Sequence, residues 1–161
     1  MVQNITSGRI FVQKRLTTYD ARIFKQLIEH PIDGIPKVYE AIEDGDALIV
    51  IEQYIDAEPL SKLLEVRGPL TCDETLRYAK QLATILQRLH SLDPPVIHRD
   101  IKPSNVLIST DGSATLIDLD AAKRYNSGAE RDTELIGTAG YAAPEQYGFG
   151  ASGPATDIYS L

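Results

Sequence analysis

The stretch that decides the fold is His98-Arg99-Asp100-Ile101-Lys102-Pro103-Ser104-Asn105. It places a His, an Arg, an Asp, a Lys and an Asn within eight positions, between the apolar runs Val96-Ile97 and Val106-Leu107-Ile108. Charges at the tip of an apolar hairpin need partners, because unpaired buried charge is costly. Phosphoryl transfer accounts for each residue. Asp100 can accept a hydroxyl proton, Lys102 can neutralise a moving γ-phosphate, and Asn105 can offer a metal ion a neutral oxygen. Asp118 follows thirteen residues after Asn105. It ends the next strand, and hairpin geometry returns it beside Asn105, where a carboxylate and an amide oxygen together make a magnesium site.

Working outward, strands come first. Residues 10–16 are rich in β-formers and follow Ser7-Gly8, a strand signal. Residues 19–29 carry Ile23, Leu27 and Ile28 at helical spacing and stop at His30-Pro31. Residues 38–42 and 48–51 flank an Asp44-Gly45 turn, a tight-hairpin signal. Leu60, Leu63 and Leu64 suggest a short helix. Thr71 with Glu74 has the capping-box spacing and opens a long one, with Leu76, Ala79, Ala83, Leu86 and Leu89 on one face. A second hairpin joins 106–108 to 114–117 through Asp111-Gly112. Residues 118–145 lose periodicity, and long irregular loops in compact domains are usually functional or disordered. Pro154 opens a last helical stretch. The pattern is α+β in two sections, with 53–58 as the crossing between them.

Composition narrows the classes. Net charge is −7, which disfavours nucleic-acid partners. It suits a nucleotide site only where positive groups concentrate. No apolar run reaches the 18 residues of a membrane span, and the first residues lack the pattern of a signal peptide. The one cysteine, Cys72, forms no internal disulfide and no metal cluster, so a reducing, cytoplasmic setting is expected.

These motifs resemble the eukaryotic-type serine/threonine protein kinase family, in a bacterial-like form. Phe11-Val12-Gln13-Lys14 resembles the strand bearing the ATP-binding lysine, and His98 to Asn105 the catalytic loop. Asp118-Leu119-Asp120 stands at the Asp-Phe-Gly position. Gly137-Thr138 with Tyr141-Ala142-Ala143-Pro144-Glu145 resembles the substrate-positioning end of the activation segment. Asp157-Ile158-Tyr159-Ser160 resembles the start of the helix whose aspartate braces the catalytic loop. The resemblance implies a two-lobe kinase fold, partial at both ends, over 1–161: a partial N-lobe at 1–52, a hinge at 53–58 and a partial C-lobe at 59–161. It implies Asp100, Lys102 and Asn105 as catalytic residues. ATP would lie against Lys14, Gln53, Ile55, Lys102, Asn105, Leu107 and Asp118, with Mg2+ on Asn105 and Asp118. The acceptor would be a serine or threonine of a protein substrate. His98 is expected to pack rather than to transfer protons. Arg99 is expected to pair with a phosphate on Thr133.

The pattern departs from the family in places. No glycine-rich loop precedes Lys14, so its strand is expected as an open sheet edge. Asp120 replaces a glycine and Leu119 a phenylalanine. The helix after the lysine strand should supply an acid for Lys14, and counting back from Leu27 picks Asp20. The chain stops at Leu161, early in the bracing helix, so poor solubility alone, or a completing partner, is expected. Two further readings stay open: a non-catalytic, pseudokinase-like binding module, and a small-molecule phosphotransferase on the same fold.

Overall fold

A computed structural model describes residues 1–126 and 137–161. An antiparallel sheet gathers β1 (Val2–Gln3), β2 (Ile10–Leu16), β3 (Val38–Asp44) and β4 (Ala47–Gln53) in the order β1-β2-β4-β3. The expectation of an open edge at β2 does not hold at its start, where β1 pairs Val2 with Phe11 and Gln3 with Ile10. The turn between β1 and β2 is closed by the Asn4 N–H donating to the Arg9 carbonyl at 2.9 Å and the Gly8 N–H to the Asn4 carbonyl at 2.8 Å. Between β3 and β4, Asp44 pairs with Ala47, so the hairpin loop is Gly45-Asp46. Gly45 takes φ +59° at the first loop position, where primed turns need a residue free to enter that region.

Helix α1 (Ala21–Glu29) starts two residues later than its periodicity suggests, because Asp20 is its N-cap and accepts from the Arg22 N–H. It buries Ile23, Phe24 and Leu27. The chain after α1 docks on the second section of the molecule. The Leu116 N–H donates to the Gly34 carbonyl at 2.8 Å, and Arg88 Nη1 donates to the Asp33 carbonyl at 3.0 Å.

That second section holds β5 (Glu58–Pro59), α2 (Leu60–Arg67) and α3 (Cys72–His90). The capping box forms as expected: the Glu74 N–H donates to Thr71 Oγ1 at 3.2 Å, and the Thr71 N–H donates to Glu74 Oε2 at 3.0 Å. The buried face of α3 is Tyr78, Leu82, Ile85, Leu86 and Leu89, which keeps Leu86 and Leu89 of the face read from sequence and puts Tyr78, Leu82 and Ile85 in place of Leu76, Ala79 and Ala83. Leu76 is exposed; it lies on the solvent side of a stripe set by the i, i+4, i+7 spacing from Tyr78. Strand β6 (Val96–Ile97) pairs with β9 (Lys123–Arg124), and β7 (Val106–Ile108) lies between β5 and β8 (Ala114–Leu116). Helix α4 (Pro154–Ser160) closes the chain. One hydrophobic core runs from Leu16 and Phe24 through Leu86 to Leu116 and Leu119, so both sections share it. No helix among the described residues is long and apolar enough to cross a membrane.

Candidate active site

The loop between β6 and β7 is held from beneath. Asp157 of α4 is fully buried. Its Oδ2 accepts from the His98 N–H at 2.9 Å and its Oδ1 from the Arg99 N–H at 2.8 Å. His90 Nε2 lies 2.8 Å from the same carboxylate. These bonds hold Arg99 at φ +66°, a conformation that costs a side-chain-bearing residue about 1–2 kcal/mol. His98 is fully buried as well. Burial pushes its imidazole down, toward the neutral form. The Asp100 N–H points at His98 Nδ1 (3.3 Å) and His98 Nε2 at the Ile117 carbonyl (3.1 Å), which suits a neutral ring protonated on Nε2. His98 is thus a packing and bridging residue.

Above this base the polar side chains converge on Asp100. Lys102 Nζ lies 2.7 Å from Asp100 Oδ2, and Asn105 Nδ2 donates to the same oxygen at 3.0 Å. Thr138 Oγ1 donates to Asp100 Oδ1 at 2.7 Å and accepts from Lys102 Nζ at 2.7 Å. Burial pushes the Asp100 carboxyl up, but the bonds from Lys102, Thr138 and Asn105 outweigh it and hold the group below its ordinary value. Gln146, buried near Pro144, ties the two segments together: its Nε2 donates to the Arg99 carbonyl at 2.7 Å, and its Oε1 accepts from the Ala143 N–H at 2.9 Å.

A second cluster surrounds Lys14 on β2. Its Nζ lies 2.9 Å from Asp118 Oδ1, 3.1 Å from Asp120 Oδ1 and 3.9 Å from Glu52 Oε2. Burial opposes the charge on Lys14, but Glu52, Asp118 and Asp120 outweigh it and raise its pKa. At Asp118 burial is likewise outweighed, by the Lys14 charge and hydrogen bonds from Lys14 and Asp120, so its carboxyl is lowered. Burial raises Asp120, and its neighbour Asp118 adds to this. The Ile117 N–H donates to the Asn105 carbonyl at 2.9 Å, which keeps Asp118 next to the Asn105 loop.

Lys14, Gln53, Ile55 and Leu107 line one cavity of about 160 Å³, together with Val12 and Glu52. Lys102 and Asn105 belong to the Asp100 cluster, and Asp118 reaches the cavity through Lys14. The expected acid from α1 is corrected: Asp20 is taken by its own helix, accepting from Arg22 Nε at 2.8 Å and Arg22 Nη2 at 2.7 Å. Arg99 Nε donates to the Ala121 carbonyl at 2.6 Å; Thr133, its expected phosphate-bearing partner, lies outside the described residues. Sequence reasoning missed Glu52 and Gln146. A signal for Glu52 was present, since it continues the buried alternation Leu48, Val50 of β4.

The donor set fits magnesium and ATP. The Asn105 amide nitrogen is engaged by Asp100, leaving the amide oxygen for a cation, and Asp118 adds a carboxylate. Among the described residues no group of three or more His, Cys, Asp or Glu forms a metal cage. Magnesium does not need one, because it is held through one or two protein ligands plus phosphate oxygens.

Comparison with known proteins bears on the same residues. The protein kinase domain family matches residues 10–161. Serine/threonine-protein kinase PknA of Mycobacterium tuberculosis is 34% identical over 142 residues, covering 84% of this chain and 32% of that protein. Serine/threonine-protein kinase D of a Synechocystis species is 31% identical over 165 residues, covering 98% and 31%. Serine/threonine-protein kinase PrkC of Bacillus subtilis is 29% identical over 135 residues, covering 83% and 20%. The chain thus spans a third or less of the length of these relatives. A match that takes in both the Lys14 strand and the loop around Asp100 means that this chain belongs to the protein kinase domain family, with bacterial serine/threonine kinases of the eukaryotic type among its relatives.

Proposed function

We propose that this chain carries the phosphotransfer site of an ATP- and magnesium-dependent serine/threonine protein kinase. The observation that carries the reading is the network on Asp100, in which Lys102, Thr138 and Asn105 all bond one carboxylate. Held ionised by those donors, Asp100 accepts the proton of a serine or threonine hydroxyl on a protein substrate. Lys102, already beside that carboxylate, offsets charge on the group in transit. Asn105 and Asp118 would hold the cation. Lys14, Gln53, Ile55 and Leu107 line the nucleotide cavity. Bound Mg·ATP supplies the phosphoryl group and neutralises charge on its oxygens. In this reading residues 1–52 are the smaller lobe, 53–58 the hinge and 59–161 the larger lobe, and the protein works in the cytoplasm.

Transfer of labelled phosphate from ATP to a generic protein substrate tests the reading, with Asp100→Asn as the control. Transfer that Asp100→Asn abolishes supports it. Mg·ATP binding with no transfer by the wild-type chain would favour the non-catalytic binding module instead.

A further inference from the structure

Helix α1 does not supply an acid to Lys14. Its interior residues Ile23, Phe24 and Leu27 are in the core, and Gln26 Nε2 donates to the Pro94 carbonyl at 3.1 Å. Asp20 caps the helix and pairs with Arg22, while Glu29 is exposed at its end. Among the described residues, the carboxylates within 4 Å of Lys14 are Glu52, Asp118 and Asp120.

Two of them, Asp118 and Asp120, are more than one-third exposed. On the reading above, Asp118 would be a ligand of the cation. Glu52 differs in kind. In the β2–β4 ladder Lys14 pairs with Val50 and Val12 with Glu52. Directly opposed residues share a face, and so do residues two apart. Glu52 is therefore the same-face diagonal neighbour of Lys14, within reach of a long side chain. It is 6% exposed and lines the cavity. Burying a carboxylate without a partner is costly, and the Lys14 amine at 3.9 Å is its counter-charge.

We propose that Glu52 is the positioning residue for Lys14, fixing the lysine from within the sheet in place of an acid on the neighbouring helix. The assignment rests on the nucleotide-site reading above. Its consequence is that the anchor is set by the β2–β4 register and is independent of where α1 lies.

Affinity for Mg·ATP, measured by calorimetry on the full chain, tests this. Glu52→Gln keeps the shape and removes the charge; it should weaken binding about tenfold, equivalent to about 1.4 kcal/mol, with no fall in melting temperature. Adding Glu52→Gln to a Lys14→Met background should change nothing further, as expected when one residue acts through the other. Asp20→Asn should leave affinity within about twofold, since α1 has no part in the pair. Wild-type affinity in Glu52→Gln, or a double variant weaker than Lys14→Met alone, would overturn the role of Glu52 and leave the nucleotide site standing. A wild-type chain that binds no Mg·ATP would overturn the nucleotide site itself, and the assignment with it.

Discussion

Replacing Asp157 by asparagine tests whether the base of the loop is held as described. The wild-type carboxylate is fully buried and accepts two backbone N–H donors, from His98 at 2.9 Å and Arg99 at 2.8 Å, one on each oxygen. An asparagine fills the same space with one oxygen and one NH2. Whichever way it turns, one backbone N–H then faces another donor. The lost charge-assisted bond is worth about 1.5–3 kcal/mol, and the surviving one drops to a neutral bond worth about 0.5–1.5 kcal/mol. The expected loss is thus about 3 kcal/mol, a large part of the roughly 5–15 kcal/mol that holds a domain together. Urea unfolding followed by circular dichroism reads it as a lower midpoint at unchanged slope. There is a functional arm too. Arg99 is kept at φ +66° by that bond, so its release shifts Asp100, and phosphate transfer should fall at least about tenfold. A folded Asp157→Asn variant that lost under about 1 kcal/mol would refute the reasoning, because the two bonds could not then be holding the loop.

Other outcomes follow from neighbouring features. Gly34 has φ +91°, and a Cβ there would lie 2.4 Å from Ile85 Cδ1; Gly34→Ala should cost about 3 kcal/mol in urea unfolding, from the left-handed backbone and overpacking together. Because Ile85 Cγ1 would be equally close at 2.4 Å, relief needs Ile85→Ala, and the Gly34→Ala/Ile85→Ala double variant should lose less stability than the sum of its two single variants. Thr138→Val removes the hydroxyl between Asp100 and Lys102; labelled-phosphate transfer should drop while calorimetric affinity for Mg·ATP stays near wild type. Asp100 also gives the fold an acid dependence. Its folded-state pKa is depressed, so its contribution is complete above the unfolded value and disappears as pH falls through the folded one. An acid titration by circular dichroism should show Asp100→Asn losing less stability than wild type below the ordinary aspartate range.

How far the sequence could be read depends on whether a feature is local. The meeting of Lys102 and Asn105 at Asp100 was legible because the three lie within six consecutive positions. The capping box was legible for the same reason: Thr71 and Glu74 meet within one turn. Features set by chain-distant pairing were not. Glu52 lies 38 positions from Lys14, and only the register of β2 on β4 makes them neighbours. Gln146 meets the Arg99 carbonyl across 47 positions. Asp20 was misassigned because its spacing fits a helix-borne acid, while the local competition from the helix N-terminus and Arg22 takes its side chain first. On α3, small and large apolar residues recur on more than one plausible stripe, and tertiary packing chose the one with Tyr78 and Ile85.

For the proposed phosphate site, the acidity of the chain matters through the carboxylates that surround its lysines. Neither lysine of the site is an open positive patch. Lys102 is bonded to Asp100, and Lys14 stands among Glu52, Asp118 and Asp120. Two unit charges 4 Å apart interact by about 4 kcal/mol at the effective dielectric of a protein surface, so three carboxylates around one amine present no net attraction to a triphosphate. Burial moderates this by pushing Glu52 and Asp120 toward their neutral forms, but it does not reverse the sign. In the proposed site the attraction would come with the ligand, as a divalent cation that Asp118 and Asn105 would hold. On the proposed reading, the −7 charge and the third acid at Asp120 therefore make nucleotide binding metal-dependent rather than impossible. On the same reading, Glu52 would keep its place at Lys14 when Asp118 serves the cation, because the β2–β4 register holds it there.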